Sequence, residues 1–276
     1  MPDEPGAADA PVRLDVELVR RGLARSRATA AEAITAGLVR VDGREVVKAS
    51  VKVEATSSIE VEGGDHYVSR GAHKLVGALD AFGVDPAGRV ALDAGASTGG
   101  FTQVLLERGA ARVLAVDVGH GQLAPSVRDD PRVVDLEGQN LRYLTRDADA
   151  LTTLRDELAA SGWPSLVVGD LSFISLTQVL APLRDLAEPG ADFVLLIKPQ
   201  FEVGRTGVKE GIVRDRALRQ DAATSVLWAA WDLGLGAVAI VDSPILGGNG
   251  NREYLVHLRA GAHDPGAHRE AVAALA

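Results

Sequence analysis

The stretch Arg89-Val-Ala-Leu-Asp-Ala-Gly-Ala-Ser-Thr-Gly-Gly100 leads from an apolar strand into a glycine-rich turn, and a helix follows at once. The loop from Asp93 to Gly100 lets the backbone approach a ligand at positions where a Cβ atom would collide. The helix that follows points its free N–H groups towards the same place. The stretch therefore predicts a nucleotide-binding turn and an α/β fold around it.

The loop differs from the dinucleotide fingerprint G-x-G-x-x-G. Ser97 stands where the second glycine would let a pyrophosphate come close. This difference favours a cofactor with no phosphates between its nucleoside and its reactive end. The cofactor-binding residues predicted from this loop are Asp93, Gly95, Ser97, Gly99 and Gly100.

Composition narrows the class of protein. The chain has 276 residues, 46% of them apolar, and no apolar run approaches the ~20 residues that cross a bilayer. The N-terminus lacks a secretion signal, so a cytoplasmic protein without a membrane role is expected. Because the chain has no cysteine and its six histidines show no ligand spacing, no metal site is predicted.

Charge is unevenly distributed along the chain. The net charge of −9 argues against nucleic-acid binding, yet residues 13–52 hold nine basic and five acidic residues. That segment has a net charge of +4, which leaves −13 for the rest. A basic surface near the N-terminus is therefore expected.

The first sixty residues predict a small α+β unit behind a disordered tail, residues 1–11. One helix carries Leu14, Leu18 and Val19. A second opens at Ser26, carries Ala30, Ala33 and Ile34, and ends at Gly37. Short strands are predicted around the turn Asp42-Gly43 and at residues 58–62.

Motifs in this unit resemble the RNA-binding domain named after ribosomal protein S-four. They are Arg13-Leu-Asp15, Arg20-Arg-Gly-Leu-Ala-Arg-Ser-Arg27, Gly37-Leu-Val-Arg-Val-Asp-Gly43 and Val47-Lys48. The resemblance implies a domain over residues 12–64 that contacts RNA through Arg13, Arg25, Arg27 and Lys48. The alternative is that these cations only solvate a small domain, as charge runs usually do.

From Val90 onward, predicted strands and helices alternate, which indicates a parallel sheet covered on both faces. Two last strands, joined by the loop 247–251, are expected to pair antiparallel, so that one reversed strand edges the sheet. Seven strands are predicted: 90–93, 113–117, 133–136, 166–170, 193–198, 237–241 and 254–258. Helices are predicted at 72–82, 99–109, 147–161, 176–186 and 216–233, with a helical segment at 262–276.

Polar residues end four of these strands, at the edge where ligands of open parallel sheets bind. They are Asp93, Asp117, Asp170 and Lys198. Asp117 lies ~20 residues past the glycine loop, where a carboxylate accepts hydrogen bonds from ribose hydroxyls of NAD or of S-adenosylmethionine. Glu137 is either a residue near the adenosine or a solvated loop carboxylate.

Lysine is scarce in this chain. Only five of the 29 basic residues are lysines, and two of them, Lys74 and Lys198, lie where chemistry is expected. A buried lysine can lose its proton, whereas arginine cannot. Taken singly, each lysine is more often a surface residue.

Further motifs resemble the TlyA family of S-adenosylmethionine-dependent ribosomal-RNA 2′-O-methyltransferases, which have an FtsJ-like catalytic domain. They are Val68-Ser-Arg-Gly-Ala-His-Lys74-Leu, the glycine loop, Asp117-Val-Gly-His-Gly-Gln-Leu123, Asp170-Leu-Ser-Phe-Ile-Ser175, Ile197-Lys-Pro-Gln-Phe-Glu202 and Gly250-Asn-Arg-Glu-Tyr-Leu255. The resemblance implies a Rossmann-like class I methyltransferase fold over residues 69–276, after a linker at 65–68. It also implies a catalytic tetrad of Lys74, Asp170, Lys198 and Glu253.

The resemblance further implies the substrate, a cytidine of 16S and 23S RNA within folded ribosomal subunits, and a monomeric enzyme. Lys198 is then the candidate for the base that takes the proton of the 2′-hydroxyl. The chain departs from the family in its loop 205–210 and in Asp65-His-Tyr67, which is unlike the Arg-x-Trp linker of some members. Three alternatives are a nicotinamide-dependent oxidoreductase, a non-catalytic RNA-binding assembly factor and, because some relatives are labelled haemolysins, membrane lysis.

Overall fold

The computed structural model describes residues 11–276 except 22, 25, 62–65, 148, 153–157, 159–161 and 205–206. The chain divides into two compact units, residues 1–68 and 69–276. The expected N-terminal tail lies outside the described residues apart from Pro11, and so does Asp65 of the expected linker.

The N-terminal unit packs two short helices with small sheets. Ser26 caps the second helix by accepting a hydrogen bond from the Thr29 N–H at 3.2 Å, as its sequence predicts. Asp42 and Gly43, with φ values of 50° and 77°, form the tight turn between the second and third strands. The elements are β1 (Val12–Arg13), α1 (Leu14–Arg20), α2 (Arg27–Thr35), β2 (Val39–Val41), β3 (Arg44–Glu45), β4 (Lys52–Val53) and β5 (Ile59–Val61).

The second unit, residues 69–276, holds the predicted catalytic residues and is called the catalytic unit. It contains a seven-stranded sheet, which confirms the fold class predicted from the sequence. Its strands are β6 (Val90–Ala94), β7 (Arg112–Asp117), β8 (Val133–Glu137), β9 (Leu166–Gly169), β10 (Asp192–Ile197), β11 (Leu235–Asp242) and β12 (Tyr254–Ala260), in the spatial order β11-β12-β10-β9-β6-β7-β8. Each of the first five lies within two residues of its predicted bounds. Their residues are largely buried, as strands covered on both faces require.

The position of the reversed strand was predicted wrongly. β12 is antiparallel to both of its neighbours, but it lies between β10 and β11 and not at the edge. The chain leaves β10, passes over the position next to it to form β11, and returns to fill that position with β12. The start of β12 therefore lies at the same edge as the ends of the parallel strands.

Helices cover the sheet. α3 contacts β10 and β12, α4 contacts β6 and β7, and α8 contacts β10 and β11. The helices of this unit are α3 (Ala72–Phe82), α4 (Gly100–Glu107), α5 (Pro125–Arg128), α6 (Leu180–Leu186), α7 (Pro199–Glu202), α8 (Arg216–Asp232) and α9 (Arg269–Ala274), with 3-10 turns at Asp149–Leu151, Leu176–Gln178 and Pro265–His268.

One predicted helix is interrupted and another lies largely outside the described residues. The helix expected at 176–186 is a 3-10 turn followed by α6, because Pro182 in a continuous helix would clash with the carbonyl of Gln178. In α6 the same proline falls in the first turn, where it is tolerated. Of the helix expected at 147–161, the structure describes chiefly the turn Asp149–Leu151.

Candidate active site

Four elements of the catalytic unit bring the predicted tetrad together. Lys74 lies in the first turn of α3, Asp170 directly follows β9, and Lys198 directly follows β10. Glu253 directly precedes the reversed strand β12. Because β12 runs against its neighbours, its first residue meets the last residues of the parallel strands.

The tetrad forms one continuous chain of charges. Lys74 Nζ lies 2.7 Å from Glu253 Oε2 and 3.4 Å from Asp170 Oδ2. Lys198 Nζ lies 2.7 Å from Asp170 Oδ1 and 2.8 Å from Ser172 Oγ. Asp170 therefore joins the two lysines, and Glu253 supplies the second carboxylate.

Burial makes this arrangement chemically significant. Lys74, Lys198 and Glu253 are 6%, 7% and 3% exposed, respectively. Isolated charges at such depth are costly, but two ammonium and two carboxylate groups balance each other here. The site can therefore hold lysine heads in fixed positions away from bulk water.

Two glycines of the loop lie where a side chain would be too close to neighbouring residues. A Cβ atom on Gly100 would collide with Ser69 Oγ, and one on Gly95 would lie 3.0 Å from Leu171 Cδ2. Ser97 has φ 48°, an uncommon value for a residue other than glycine. Its N–H donates to Asp117 Oδ2 at 2.9 Å, which fixes this turn.

A cavity of about 550 Å³ opens beside the loop. Asp117 lines it, and its Oδ1 also accepts a hydrogen bond from the Gly119 N–H at 2.7 Å. Leu141, Ile174 and Val179 supply apolar lining. This combination of a carboxylate and apolar walls suits a nucleoside.

A second cavity, of about 230 Å³, shares Gly95 and Ser97 with the first. It is lined by Lys74 and Asp170 of the tetrad, and also by Ser69, Arg70, Thr98 and Gly100. The glycine loop therefore separates a nucleoside-sized space from a smaller polar space at the lysines.

Asp93, Gly99 and Glu137, three of the predicted cofactor-binding residues, line neither cavity. Asp93 is fully buried, and its Oδ2 accepts a hydrogen bond from the Thr102 hydroxyl at 2.6 Å. Burial raises the pKa of Asp93 to about 7, although the Thr102 bond opposes the rise. Asp93 supports the loop from below.

Glu137 holds a loop through three hydrogen bonds from backbone N–H groups. It accepts hydrogen bonds from the N–H groups of Gly121, Gln122 and Leu123 at 2.5, 2.6 and 3.1 Å. Burial alone would raise the pKa of Glu137, but these backbone donors lower it below its ordinary value. Because Gln122 lines the larger cavity, Glu137 acts on that cavity through this loop.

Two site residues escaped the sequence interpretation. Ser172 contacts Lys198, and Phe173 is 91% exposed with φ 64°. Both belong to the motif that begins at Asp170. The only available signal was their place in a loop that follows a catalytic candidate.

In the N-terminal unit, the predicted RNA contacts are organised by a buried acid. Asp15, 3% exposed, binds the guanidinium groups of both Arg13 and Arg27 at 2.9 Å. The Arg13 hydrogen bond is the main reason that the pKa of Asp15 falls to about 2. Lys48 is exposed, and Arg25 lies outside the described residues.

Comparisons with known families assign both units. Residues 67–260 match the FtsJ-like methyltransferase family, and residues 12–59 match the S4 domain. The chain belongs to the FtsJ-like methyltransferase family. This membership decides against the nicotinamide-dependent oxidoreductase.

Three relatives show how far the similarity extends. The 16S/23S rRNA (cytidine-2′-O)-methyltransferase TlyA of Mycobacterium tuberculosis is 53% identical over 90% of this chain and 89% of its own length. Hemolysin A of Brachyspira hyodysenteriae is 41% identical over 89% of this chain and 99% of its own. A solved structure of a hemolysin-named protein from Streptococcus thermophilus covers 97% of this chain and 96% of its own, at 36% identity and a TM-score of 0.70.

The hemolysin names prompt a check for membrane segments. Within the described ranges, every helix is too short or too polar to cross a bilayer.

Proposed function

We propose that this protein transfers a methyl group from S-adenosylmethionine to the ribose 2′-hydroxyl of a cytidine in 16S and 23S ribosomal RNA. The observation that carries the proposal is the row of ion pairs that joins Glu253, Lys74, Asp170 and Lys198 beside a nucleoside-sized cavity. The relative from Mycobacterium tuberculosis, a 16S/23S rRNA (cytidine-2′-O)-methyltransferase, supports the choice of substrate.

The residues present fit S-adenosylmethionine. Asp117 would accept hydrogen bonds from its ribose hydroxyls, and the apolar lining would contact its adenine. Ser69 and Thr98 line the smaller cavity, which suits the polar amino-acid end. The missing Cβ atom of Gly100 lets Ser69, which also lines the smaller cavity, lie against the glycine loop. When bound, this cofactor supplies a methyl group activated by its positive sulfur.

The chain's own groups would then activate and orient the hydroxyl. A ribose hydroxyl is a poor nucleophile, so its proton must leave as it attacks the methyl group. Lys198 Nζ would receive that proton in those molecules in which the lysine has first released its own proton to solvent. Lys74 would hold the hydroxyl or its flanking phosphate, and Asp170 fixes both lysine heads. Alignment of two reactants can contribute roughly 7 to 11 kcal/mol to such a step.

The S4 domain would deliver the RNA. The side chains of Arg13 and Arg27 are 46% and 62% exposed, although the guanidinium groups of both bind Asp15. Such anchored cations suit RNA phosphates, which bind planar guanidinium groups through paired hydrogen bonds. We propose that the protein acts as a monomer in the cytoplasm on assembled subunits.

Tritiated-methyl transfer to purified ribosomal subunits tests the proposal. Lys198→Ala and Lys74→Ala should abolish transfer, while calorimetric titration with S-adenosylhomocysteine should show nearly unchanged binding. Lys209→Ala, which removes an exposed lysine, is the matched control and should retain activity. Near-normal transfer by Lys198→Ala would overturn the assignment of the base.

The methylated position is then mapped by primer-extension stops at low dNTP, on ribosomes from cells with and without the gene. Subunit binding by the wild-type protein without methyl transfer would instead favour a non-catalytic assembly factor.

A further inference from the structure

Besides the ion pair between Lys198 and Asp170, the loop from Asp170 to Leu176 is hydrogen-bonded at two points to the segment that contains α7. At one point, Lys198, which directly precedes α7, lies 2.8 Å from Ser172 Oγ. At the other, Glu202, the last residue of α7, binds the end of the loop. A single helical turn therefore spans the loop that carries Asp170.

Glu202 makes two hydrogen bonds to that loop. Its Oε2 accepts from the Ser175 hydroxyl at 2.5 Å, and its Oε1 accepts from the Leu176 N–H at 2.8 Å. Burial raises the pKa of Glu202, and these two bonds oppose the rise. A carboxylate withdrawn from water in this way is retained at a cost, which its bonds to the loop offset.

The loop between these fastenings has an uncommon backbone conformation. Phe173 has φ 64°, a value that a bulky side chain rarely adopts unless the surrounding structure holds it there. Its ring is 91% exposed but contacts the ring of Phe201 in α7, with 5.2 Å between the two ring centroids. The hydrogen bonds at Ser172 and at Ser175–Leu176 hold this conformation together with the ring contact.

We propose that Glu202 is a positioning residue that holds the loop so that Ser172 meets Lys198. The proposal rests on the role assigned above to Lys198. A hydroxyl can accept a hydrogen bond from an ammonium group and donate one to a neutral amine. Ser172 can therefore stay bonded to Lys198 before and after the lysine takes the proton of the 2′-hydroxyl, provided that the loop keeps its place.

A double-mutant cycle tests whether Glu202 acts through Ser172. Single-turnover methyl transfer to ribosomal subunits is measured for Glu202→Ala, Ser172→Ala and the double variant. Each single change should slow transfer by at least about tenfold, since small misplacements of reacting groups are costly. The double variant should be no slower than the slower single variant.

The exposed Glu270 supplies the matched control, and Glu270→Ala should transfer at the wild-type rate. The milder Glu202→Gln keeps an acceptor for the Leu176 N–H and should give an intermediate rate. Wild-type transfer by Glu202→Ala, or effects that multiply in the double variant, would overturn the proposal.

Amide hydrogen exchange separates this proposal from the proposed function. In Glu202→Ala, the amides of residues 172–176 should exchange at least about tenfold faster, while those of α3 keep their rate. Unchanged exchange in the loop would overturn the role of Glu202, whatever the activity. Faster exchange together with a wild-type protein that methylates no RNA would instead overturn the proposed function alone.

Discussion

Replacing Asp93 by asparagine should change how the stability of the catalytic unit depends on pH. Asp93 is fully buried beneath the glycine loop, and its Oδ1 has no hydrogen-bond partner among the described residues. Burial raises its pKa from 3.8 to about 7, and the nearby charges of Asp170 and Asp117 add to the rise. The folded protein therefore keeps a proton here that the unfolded chain releases.

The sign follows from this difference in proton binding. Between pH 3.8 and about 7 the folded state holds more protons at Asp93 than the unfolded state does. Stability therefore falls as pH rises through this window and stays low above it. A rise of about three pKa units corresponds to about 4 kcal/mol of unfolding free energy.

Asparagine removes this titration but leaves an amide N–H₂ without an acceptor, at a constant cost of about 1–3 kcal/mol. The variant should be less stable than wild type near pH 4 and more stable near pH 8. The difference between the two proteins should change by about 4 kcal/mol across that range.

Urea unfolding followed by tryptophan fluorescence measures this difference. All three tryptophans, Trp163, Trp228 and Trp231, lie in the catalytic unit, so the signal reports that unit and not the S4 domain. Asp129→Asn, at a carboxylate that is 69% exposed, is the control and should run parallel to wild type. If the unfolding free energy of Asp93→Asn also runs parallel to that of wild type across this pH range, the reasoning is refuted.

Two further predictions concern binding. Replacing Arg13, Arg27 and Lys48 by alanine should weaken binding to ribosomal RNA and reduce its dependence on salt. The slope of log affinity against log salt concentration should fall by about one unit for each phosphate that the variant no longer neutralises. Filter binding at several salt concentrations measures this slope, and an unchanged slope would contradict the assignment of these residues as RNA contacts. Glu137→Gln should weaken S-adenosylhomocysteine binding roughly tenfold, since a charged acceptor makes stronger hydrogen bonds to the loop that carries Gln122. Calorimetric titration measures the affinity of both proteins, and equal affinities would contradict this prediction.

The strands of the sheet were readable from the sequence because buried parallel strands are continuous apolar runs. β10, with the run Phe193 to Ile197, is an example. The position of β12 was not readable, since the choice of neighbours depends on contacts between distant segments. The break before α6 was readable in principle from Pro182, which cannot lie inside a continuous helix.

The site was predictable where it follows from strand ends. Asp170 and Lys198 are polar residues that end neighbouring strands, so their meeting follows from the topology. Glu253 was predicted from family resemblance alone, and Lys74 from that resemblance and the scarcity of lysine. No local pattern shows that a helix start and a reversed strand reach that edge. The hydroxyl of Ser172 was marked only by its place in the loop after Asp170, since a short polar side chain in a loop has no periodicity.

The placement of β12 has a consequence for synthesis of the protein. The chain makes β11 before the strand that separates it from β10, so a product that stops before residue 254 would have a gap in its sheet. A product that stops before residue 253 would also lack Glu253, the carboxylate that lies closest to Lys74. Domains generally fold from the N-terminus as they emerge, so the RNA-binding unit is complete long before the methyl-transfer site. A truncated chain would therefore contain a complete S4 domain and an incomplete catalytic tetrad.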